Sequence, residues 1–450
     1  MLDFDLMGLV GESYAVYQER RERLILEIKK EYPGVKNGRV VLFSSFEKPD
    51  VVFRQESTFY YFSGLEESGL AMIIDMDGKS SLFVPNCVQE RKKWNGSAIE
   101  PNDKDAQCFN FDTISVLGDK IKGSVLYPYF DESAYKNVLG EISAVLDSGG
   151  KFFVLSPNNA FQYVEQRFVL DRIKSFLPKF LSKTGDTNFV DMSPLVTIMR
   201  RKKDISEIGK ISEAIAITGL AHESAAIILE NGETESHVQA TLEYAFNSVG
   251  AKTAYPTIVA SGHNATILHY QDNYDDLEDG ELVIVDAGAK FGNYCSDITR
   301  TYPISGKFTK RQKELYDIVL ETQKYIEEIA KPGYYLKNED YKDKCLTSLA
   351  REFLDSKGGY GKFFTHGIGH FLGLDVHDVG KPNSPLQEGD VITIEPGLYI
   401  QEESIGIRIE DNYWIAKEKA ICLSEMIPKE ADQIETFMKK GFGEEQEVQA

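Results

Sequence analysis

Four acidic residues in the second half of the chain have the types and the spacing of a metal site. Asp286 ends the apolar run 282–285, and Asp297 follows eleven residues later. If a hairpin turn is centred near Phe291 and Gly292, the two aspartates are predicted to be direct cross-strand partners on one face. Two facing carboxylates repel each other strongly unless a cation lies between them. The pair therefore favours a metal-binding role over that of two turn residues.

The same arrangement recurs about a hundred residues later. Glu395 ends the apolar run 391–394, and Glu410 is predicted to face it across a second hairpin centred on Glu402 and Glu403. A carboxylate at the end of a buried strand is costly unless a cation or several donors satisfy it. Each hairpin is thus predicted to present a pair of carboxylates to a shared cation site.

Histidines are the second kind of chemically active side chain in this region. All seven histidines of the chain follow residue 221. His269 lies in a strand-like segment, whereas His366, His370 and His377 lie in a glycine-rich segment beside acidic residues. The glycines between His366 and His370 argue against a helix, so we expect these two side chains to share one face of an extended chain.

The other three histidines have simpler interpretations. His222 and His237 fall in predicted helices, where a packed or surface position explains them. His263 lies in a turn-like segment, and its role stays open.

Four carboxylates and one imidazole form a hard, oxygen-rich ligand set. Two divalent ions balance the charge of four carboxylates and leave a bridging hydroxide to be held. Such ligands suit Mn²⁺ best, with Co²⁺ or Zn²⁺ as substitutes. Two metal ions about 3.5–4 Å apart lower the pKa of a bridging water and polarise a carbonyl group. Hydrolysis of an amide or ester is the chemistry that this site predicts.

Two parts of the chain carry different residue patterns. In the first 190 residues helical and strand-like patterns alternate, and this part contains no histidine. Beyond it, Asp204 and Glu207 have the spacing of a helix capping box, and another helical pattern spans residues 309–330. The predicted domains are an N-terminal domain over residues 1–190, a metal-binding domain over 191–440 and a polar tail over 441–450.

Composition restricts the partners and the location. The chain has 450 residues with 50 Lys and Arg against 71 Asp and Glu, a net charge of −21. This excess repels nucleic acid and anionic lipid, and the longest basic run is 200–203. The sequence shows neither an apolar stretch that approaches the length of a membrane span nor a signal peptide. Five scattered cysteines exclude a disulfide scaffold or thiolate zinc site, so we expect a cytoplasmic enzyme.

The order Asp, Asp, His, Glu, Glu and the residues that flank them resemble the pita-bread metallopeptidases. Within that family the chain is most similar to the Xaa-Pro branch, which contains aminopeptidase P and prolidase. The resemblance covers almost the whole chain. In the C-terminal half it rests on segments 267–270, 285–288, 366–370, 375–378, 394–397 and 406–411, and in the N-terminal half on 53–57 and 59–64. It implies an α+β pita-bread metal domain preceded by a smaller α/β domain of the creatinase type.

The resemblance also implies a ligand role for each position. Asp286 would bind one metal ion only, and His370 and Glu395 would bind the other. Asp297 and Glu410 would bridge both ions.

It further implies catalytic roles for five residues. Glu395 would also manage the proton of the attacking hydroxide. His269, His366 and His377 would surround the scissile amide, with His366 and His377 stabilising the oxyanion. Arg408 would orient the nearby carboxylate or the far end of the substrate.

The activity implied is removal of the N-terminal residue from peptides with proline in second position. An Xaa-Pro dipeptidase (prolidase) remains the alternative, since both share every ligand, and a non-catalytic pita-bread binding module is a more distant one. The family relationship also implies a homodimer or homotetramer. One departure from the family pattern is Gly369, where we expect Ser or another small residue.

Overall fold

The computed structural model describes residues 14–96, 98–127, 130–157, 163–177, 188–229 and 232–440. The chain divides between Arg200 and Arg201 into two compact units. This division falls ten residues beyond the predicted boundary after residue 190. The predicted polar tail, 441–450, lies outside the described residues.

The first unit is built on a mixed sheet of six strands in the order β4-β3-β2-β1-β5-β6. Its strands are β1 Gly38–Phe43, β2 Ala71–Asp75, β3 Ser80–Val84, β4 Thr113–Val116, β5 Lys151–Val154 and β6 Phe189–Asp191. Its helices are α1 Ala15–Glu31, α2 Ser57–Ser63, α3 Val88–Asn95, α4 Asp103–Cys108, α5 Lys136–Asp147 and α6 Val164–Ser175, with α7 Ser193–Arg201 leading out of it.

The central strand explains why this unit has an α/β core. β1 pairs antiparallel with β2 and parallel with β5, so both of its edges are satisfied. A strand covered on both faces reads as a continuous apolar run, as 40–43 does. Helices α5 and α6 place Val138 and Ile142, and Val169 and Ile173, in the same core cluster as β1.

The second unit combines short antiparallel sheets with long helices. Its strands are β7 Lys252–Thr253, β8 Ile258–Ser261, β9 Leu282–Ala287, β10 Ala289–Phe291, β11 Tyr294–Cys295, β12 Ile298–Pro303, β13 Val391–Ile394, β14 Gly397–Ile400, β15 Ile405–Arg408, β16 Asp411–Ile415 and β17 Ala420–Cys422. Its helices are α8 Ile205–Ile228, α9 Glu235–Ser248, α10 Lys310–Ile329, α11 Leu346–Ser356 and α12 Ala431–Lys440. The predicted capping box of Asp204 and Glu207 begins α8, and the predicted helix over 309–330 is α10.

Helix α8 is long and apolar enough to resemble a membrane span, the one such helix among the described residues. The prediction that no stretch approaches a span was therefore too simple. In the structure 56% of its most apolar window is buried. His222 on this helix forms hydrogen bonds with the Tyr302 hydroxyl and the Ile298 carbonyl of β12. These contacts are those of a core helix, and they confirm a packed position for His222.

Candidate active site

The first predicted carboxylate pair lies on the β9–β12 hairpin, but in a different register. Asp286 pairs with Thr299, not with Asp297. The turn is centred on Gly292 and Asn293, whose φ values of 52° and 67° are typical of a type I′ turn. A turn one residue later than predicted moves the cross-strand partner by two residues. The direct pairing was therefore wrong, whereas Asp297 keeps the predicted face.

Tyr255 joins these two aspartates. Its hydroxyl lies 2.6 Å from Asp286 Oδ1 and 2.5 Å from Asp297 Oδ1. One hydroxyl proton serves only one of the two carboxylates at a time. The two carboxylates therefore lie close together and share one hydroxyl donor.

The second predicted pair is confirmed. β13 with β16 and β14 with β15 follow one continuous register, which places Glu395 opposite Glu410. The Glu410 backbone amide donates to the Thr299 carbonyl, and the Thr299 hydroxyl donates to Glu410 Oε2 at 2.7 Å. These bonds join the two hairpins, so both carboxylate pairs face one place.

The histidine-rich segment is held against β13 by its backbone. The His370 amide donates to Thr393 Oγ1 at 3.1 Å, and the Thr393 amide donates to the His370 carbonyl at 2.9 Å. The Glu395 amide donates in turn to the Ile368 carbonyl. A Cβ atom on Gly369 would lie 2.0 Å from the Thr393 carbonyl oxygen. The close approach of two backbones therefore explains glycine at this position and leaves no room for the expected serine.

Three side chains form a compact group of possible metal ligands. Ligand atoms of Asp297, His370 and Glu410 all lie within 4.8 Å of one another. His370 Nε2 lies 3.3 Å from Asp297 Oδ2 and 3.7 Å from Glu395 Oε1. Because Asp297 and Glu410 are 5% and 2% exposed, water screens little of their charge.

The electrostatics of this group favour the binding of cations. Burial and the charge of Asp297 raise the pKa of Asp286, although Arg408 opposes the shift. The same two causes raise the pKa of Glu395 to about 7 and that of Glu410 well above its usual range. Hydrogen bonding to Asp297, against the effect of burial, raises the pKa of His370 to about 9. Carboxylates crowded in this way fit divalent cations, which prefer such oxygen and imidazole ligands.

Arg408 is buried beside this group and forms three side-chain hydrogen bonds. Its Nη2 donates to Asp286 Oδ2 at 2.6 Å, its Nε to Thr299 Oγ1 at 3.2 Å and its Nη1 to the Tyr399 hydroxyl at 3.1 Å. The Tyr399 hydroxyl lies 2.8 Å from His366 Nε2. Burial, and then the charge of Arg408, lower the pKa of His366 to about 4.

All nine candidate site residues line one cavity of about 540 Å³ in the second unit. They are Asp286, Asp297, His370, Glu395, Glu410, His269, His366, His377 and Arg408. His269 and His377 are exposed, and the His377 ring lies 4.2 Å from that of His370. Other lining residues include Tyr255 and Tyr399.

Sequence reasoning missed those two tyrosines. Tyr399 lies four residues after Glu395, so alternation along a strand could have placed both on one face. No local pattern marks Tyr255, which reaches Asp297 from 42 residues away.

Two residues of the basic run 200–203 form buried ion pairs within the second unit. Arg201 forms two hydrogen bonds with the Asp390 carboxylate, at 2.8 and 2.6 Å. Lys203 Nζ lies 2.9 Å from Asp378 Oδ2, and each of these two side chains is 1% exposed. The positive charges of Arg201 and Lys203 are therefore paired with buried carboxylates.

Known proteins share both units. Residues 209–417 match metallopeptidase family M24, and residues 17–120 match the aminopeptidase P N-terminal domain. The Xaa-Pro aminopeptidase of Haemophilus influenzae is 31% identical, over 94% of this chain and 96% of that protein. The chain therefore belongs to metallopeptidase family M24, and within it to the aminopeptidase P branch.

Solved structures agree with this assignment. A putative aminopeptidase P from Bacillus anthracis superposes with a TM-score of 0.79 at 28% identity, over 95% of this chain and 98% of that one. Aminopeptidase P from Escherichia coli with the inhibitor Pro-Leu gives 0.76 at 28% identity, with the same coverage. The predicted fold, a pita-bread metal domain after an α/β N-terminal domain, is confirmed, and the family is one of metal-dependent hydrolases.

Proposed function

We propose that this protein is an Xaa-Pro aminopeptidase, which removes the N-terminal residue from peptides with proline in second position. One observation carries the proposal: the five candidate metal ligands line the same cavity as His269, His366 and His377. Relatives with that activity in their names align with the chain over nearly its whole length.

Two divalent ions fit the donor set, and we expect Mn²⁺ in preference to Co²⁺ or Zn²⁺. Asp297 and Glu410 would bridge both ions, Asp286 would bind one of them, and His370 and Glu395 the other. When bound, the ions polarise the scissile carbonyl and lower the pKa of the attacking water.

We expect Glu395 to move the proton of that water. Its Oε1 lies 3.7 Å from His370 Nε2 and its Oε2 lies 3.7 Å from His366 Nδ1, so the carboxylate faces the cavity between the two rings. It would take the proton from the water and return it to the proline nitrogen as the amide breaks.

The two histidines proposed to stabilise the oxyanion, His366 and His377, differ in whether their ring nitrogens already form hydrogen bonds. His366 Nδ1 donates to the Gly367 carbonyl at 2.8 Å, so its Nε2 accepts from the Tyr399 hydroxyl. Stabilisation of an oxyanion by His366 would therefore require a proton on Nε2 in place of the hydrogen bond from Tyr399. His377 is exposed beside His370 and offers a donor directly. His269, which also lines the cavity, would contact the substrate.

The cavity favours longer peptides over dipeptides. A dipeptidase must hold the carboxylate of the proline, one residue from the bond that breaks, and a free cation does this best. Among the described residues that line the cavity, Arg408 is the only Arg or Lys. Its guanidinium is already bound to Asp286, Thr299 and Tyr399. A prolidase would therefore find no free Arg or Lys for that carboxylate among these lining residues.

The remaining proposals concern the substrates, the oligomeric state and the location of the enzyme. We propose peptide substrates with an Xaa-Pro N-terminus, a homodimer or homotetramer, and a cytoplasmic location. Neither nucleic acid nor membrane is expected as a partner, given the net charge of −21. Light scattering coupled to size exclusion measures the oligomer directly, and a monomer would contradict the expected assembly.

A cleavage assay read by mass spectrometry tests the proposed activity. The peptides are Xaa-Pro-Yaa-Zaa, its match Xaa-Ala-Yaa-Zaa and the dipeptide Xaa-Pro, each with Mn²⁺ and again after chelation. We expect release of the first residue from the proline peptide alone, abolished by chelation. Cleavage of the dipeptide alone would establish a prolidase, and equal cleavage of the alanine peptide would refute proline specificity. If no peptide is cut with metal bound, a binding module becomes the better account.

A further inference from the structure

One wall of the cavity is made by an irregular segment, residues 262–275. Apart from the short 3₁₀ helix Gly262–Thr266, it contains no helix or extended strand within the described residues. It nevertheless supplies Leu268, His269 and Gln271 to the cavity. A loop without regular hydrogen bonding needs other contacts to hold a side chain in place.

One buried carboxylate supplies those contacts. Glu235, the first residue of α9, is 0% exposed. Its Oε1 accepts from the Ser261 amide at 2.7 Å, the Ser261 hydroxyl at 2.8 Å and Asn264 Nδ2 at 3.2 Å. Its Oε2 accepts from the Tyr270 hydroxyl at 2.8 Å and the Asp275 amide at 3.1 Å. Five donors from one stretch of chain thus converge on a single side chain.

The positions of these donors matter as much as their number. Ser261 and Asn264 precede His269, whereas Tyr270 and Asp275 follow it. The Glu235 amide also donates to the Asp275 carbonyl at 3.0 Å, which fixes the far end of the segment to the start of α9. The loop that carries His269 is therefore closed on both sides by the same residue.

We infer that Glu235 is a positioning residue for the reaction, which holds the His269 wall of the cavity against the substrate. The inference rests on the proposed peptidase activity. A carboxylate accepts all five bonds, whereas an amide of the same shape must turn an NH₂ group toward two of the donors. Buried donors that lose their acceptor are costly, so the loop is expected to relax into other conformations.

Glu235→Gln tests the inference together with a matched control. We expect kcat/KM for an Xaa-Pro peptide to fall at least tenfold, while the Mn²⁺ affinity measured by calorimetry stays within twofold. Thr234→Ala is the control, since Thr234 caps the same helix end by accepting from the His237 amide but makes none of the five contacts. It should lower Tm and leave kcat/KM within twofold. Tyr270→Phe, which removes one donor, should fall between the two.

A double-mutant cycle separates positioning from a general structural effect. In a His269→Ala background, Glu235→Gln should cause little further loss of kcat/KM, because the side chain that it positions is absent. A loss of equal size in both backgrounds, or a loss of Mn²⁺ affinity, would overturn the inference.

Hydrogen exchange provides a readout that does not depend on activity. Exchange of amides in 262–275 should quicken in Glu235→Gln and stay unchanged in Thr234→Ala. Unchanged exchange in Glu235→Gln would overturn the inference even if the wild-type protein cleaves Xaa-Pro peptides. Failure of the wild type to cleave them would refute the proposed function instead, and the exchange result would still decide whether Glu235 holds the loop.

Discussion

Replacement of Lys203 by methionine is expected to destabilise the second unit by about 3–5 kcal/mol. Its Nζ lies 2.9 Å from Asp378 Oδ2, and both side chains are 1% exposed. At an effective dielectric constant of about 20, their attraction is about 6 kcal/mol, most of which offsets the desolvation of the two ions. Methionine keeps the apolar stem but removes the cation that faces the buried Asp378 carboxylate, and breaking a buried ion pair in this way typically costs this amount. Lys203→Met/Asp378→Asn should recover most of the loss, since neither member of the buried pair then carries a charge.

Urea unfolding in a Trp94→Phe background isolates the relevant unit. The chain has two tryptophans, and Trp414 on β16 then reports on the second unit alone. Chelator is present throughout, because bound metal would add its own stabilisation. Lys417→Met, at an exposed position, should change the free energy of unfolding by less than about 0.5 kcal/mol. A Lys203→Met variant within about 1 kcal/mol of its parent would refute the account of this buried pair.

Two further predictions follow from packing and from burial. Gly369→Ala should weaken Mn²⁺ binding at least tenfold by calorimetry, because its Cβ would lie 2.0 Å from the Thr393 carbonyl oxygen. Gly367→Ala is the control and should bind Mn²⁺ normally, because its Cβ would meet its nearest neighbour at 3.9 Å. Equal Mn²⁺ affinities of the two variants would contradict this prediction. Burial, and then the charge of Arg300, lower the pKa of His222 to about 3, so only the unfolded state gains its proton as pH falls below about 6.5. The stability advantage of wild type over His222→Gln should therefore shrink by about 2 kcal/mol from pH 7 to pH 5, and an unchanged difference in urea unfolding would refute it.

Local patterns predicted the parts of the site that lie within one hairpin. The apolar run before Asp286 forms β9. This strand lies between β8 and β12 and is buried throughout, which explains why its residues are apolar. Glu395 faces Glu410 because the turn and both strands keep one register. The first hairpin was misplaced by one residue, although Gly292 and Asn293 are the two residues there that best tolerate positive φ. Turn chemistry would have given the correct register.

Contacts between distant segments were beyond sequence reasoning. The run 200–203 shows its charge in the sequence but not its partners, and Lys203 meets Asp378 across 175 residues. Glu235 looks like an ordinary acidic residue in the first turn of a helix, yet five donors converge on it in the folded chain. Both cases depend on tertiary packing, which no local periodicity encodes.

We expect the acidic residues of the cavity in the second unit to bind two divalent ions. The most direct test is the Mn²⁺ content per chain after gel filtration, measured by elemental mass spectrometry, for the wild type and for Asp297→Ala/Glu410→Ala. We predict two ions per chain for the wild type and none for the variant, with an unchanged far-ultraviolet circular dichroism spectrum. Two ions retained by the variant, or none bound by a folded wild-type protein, would contradict the account.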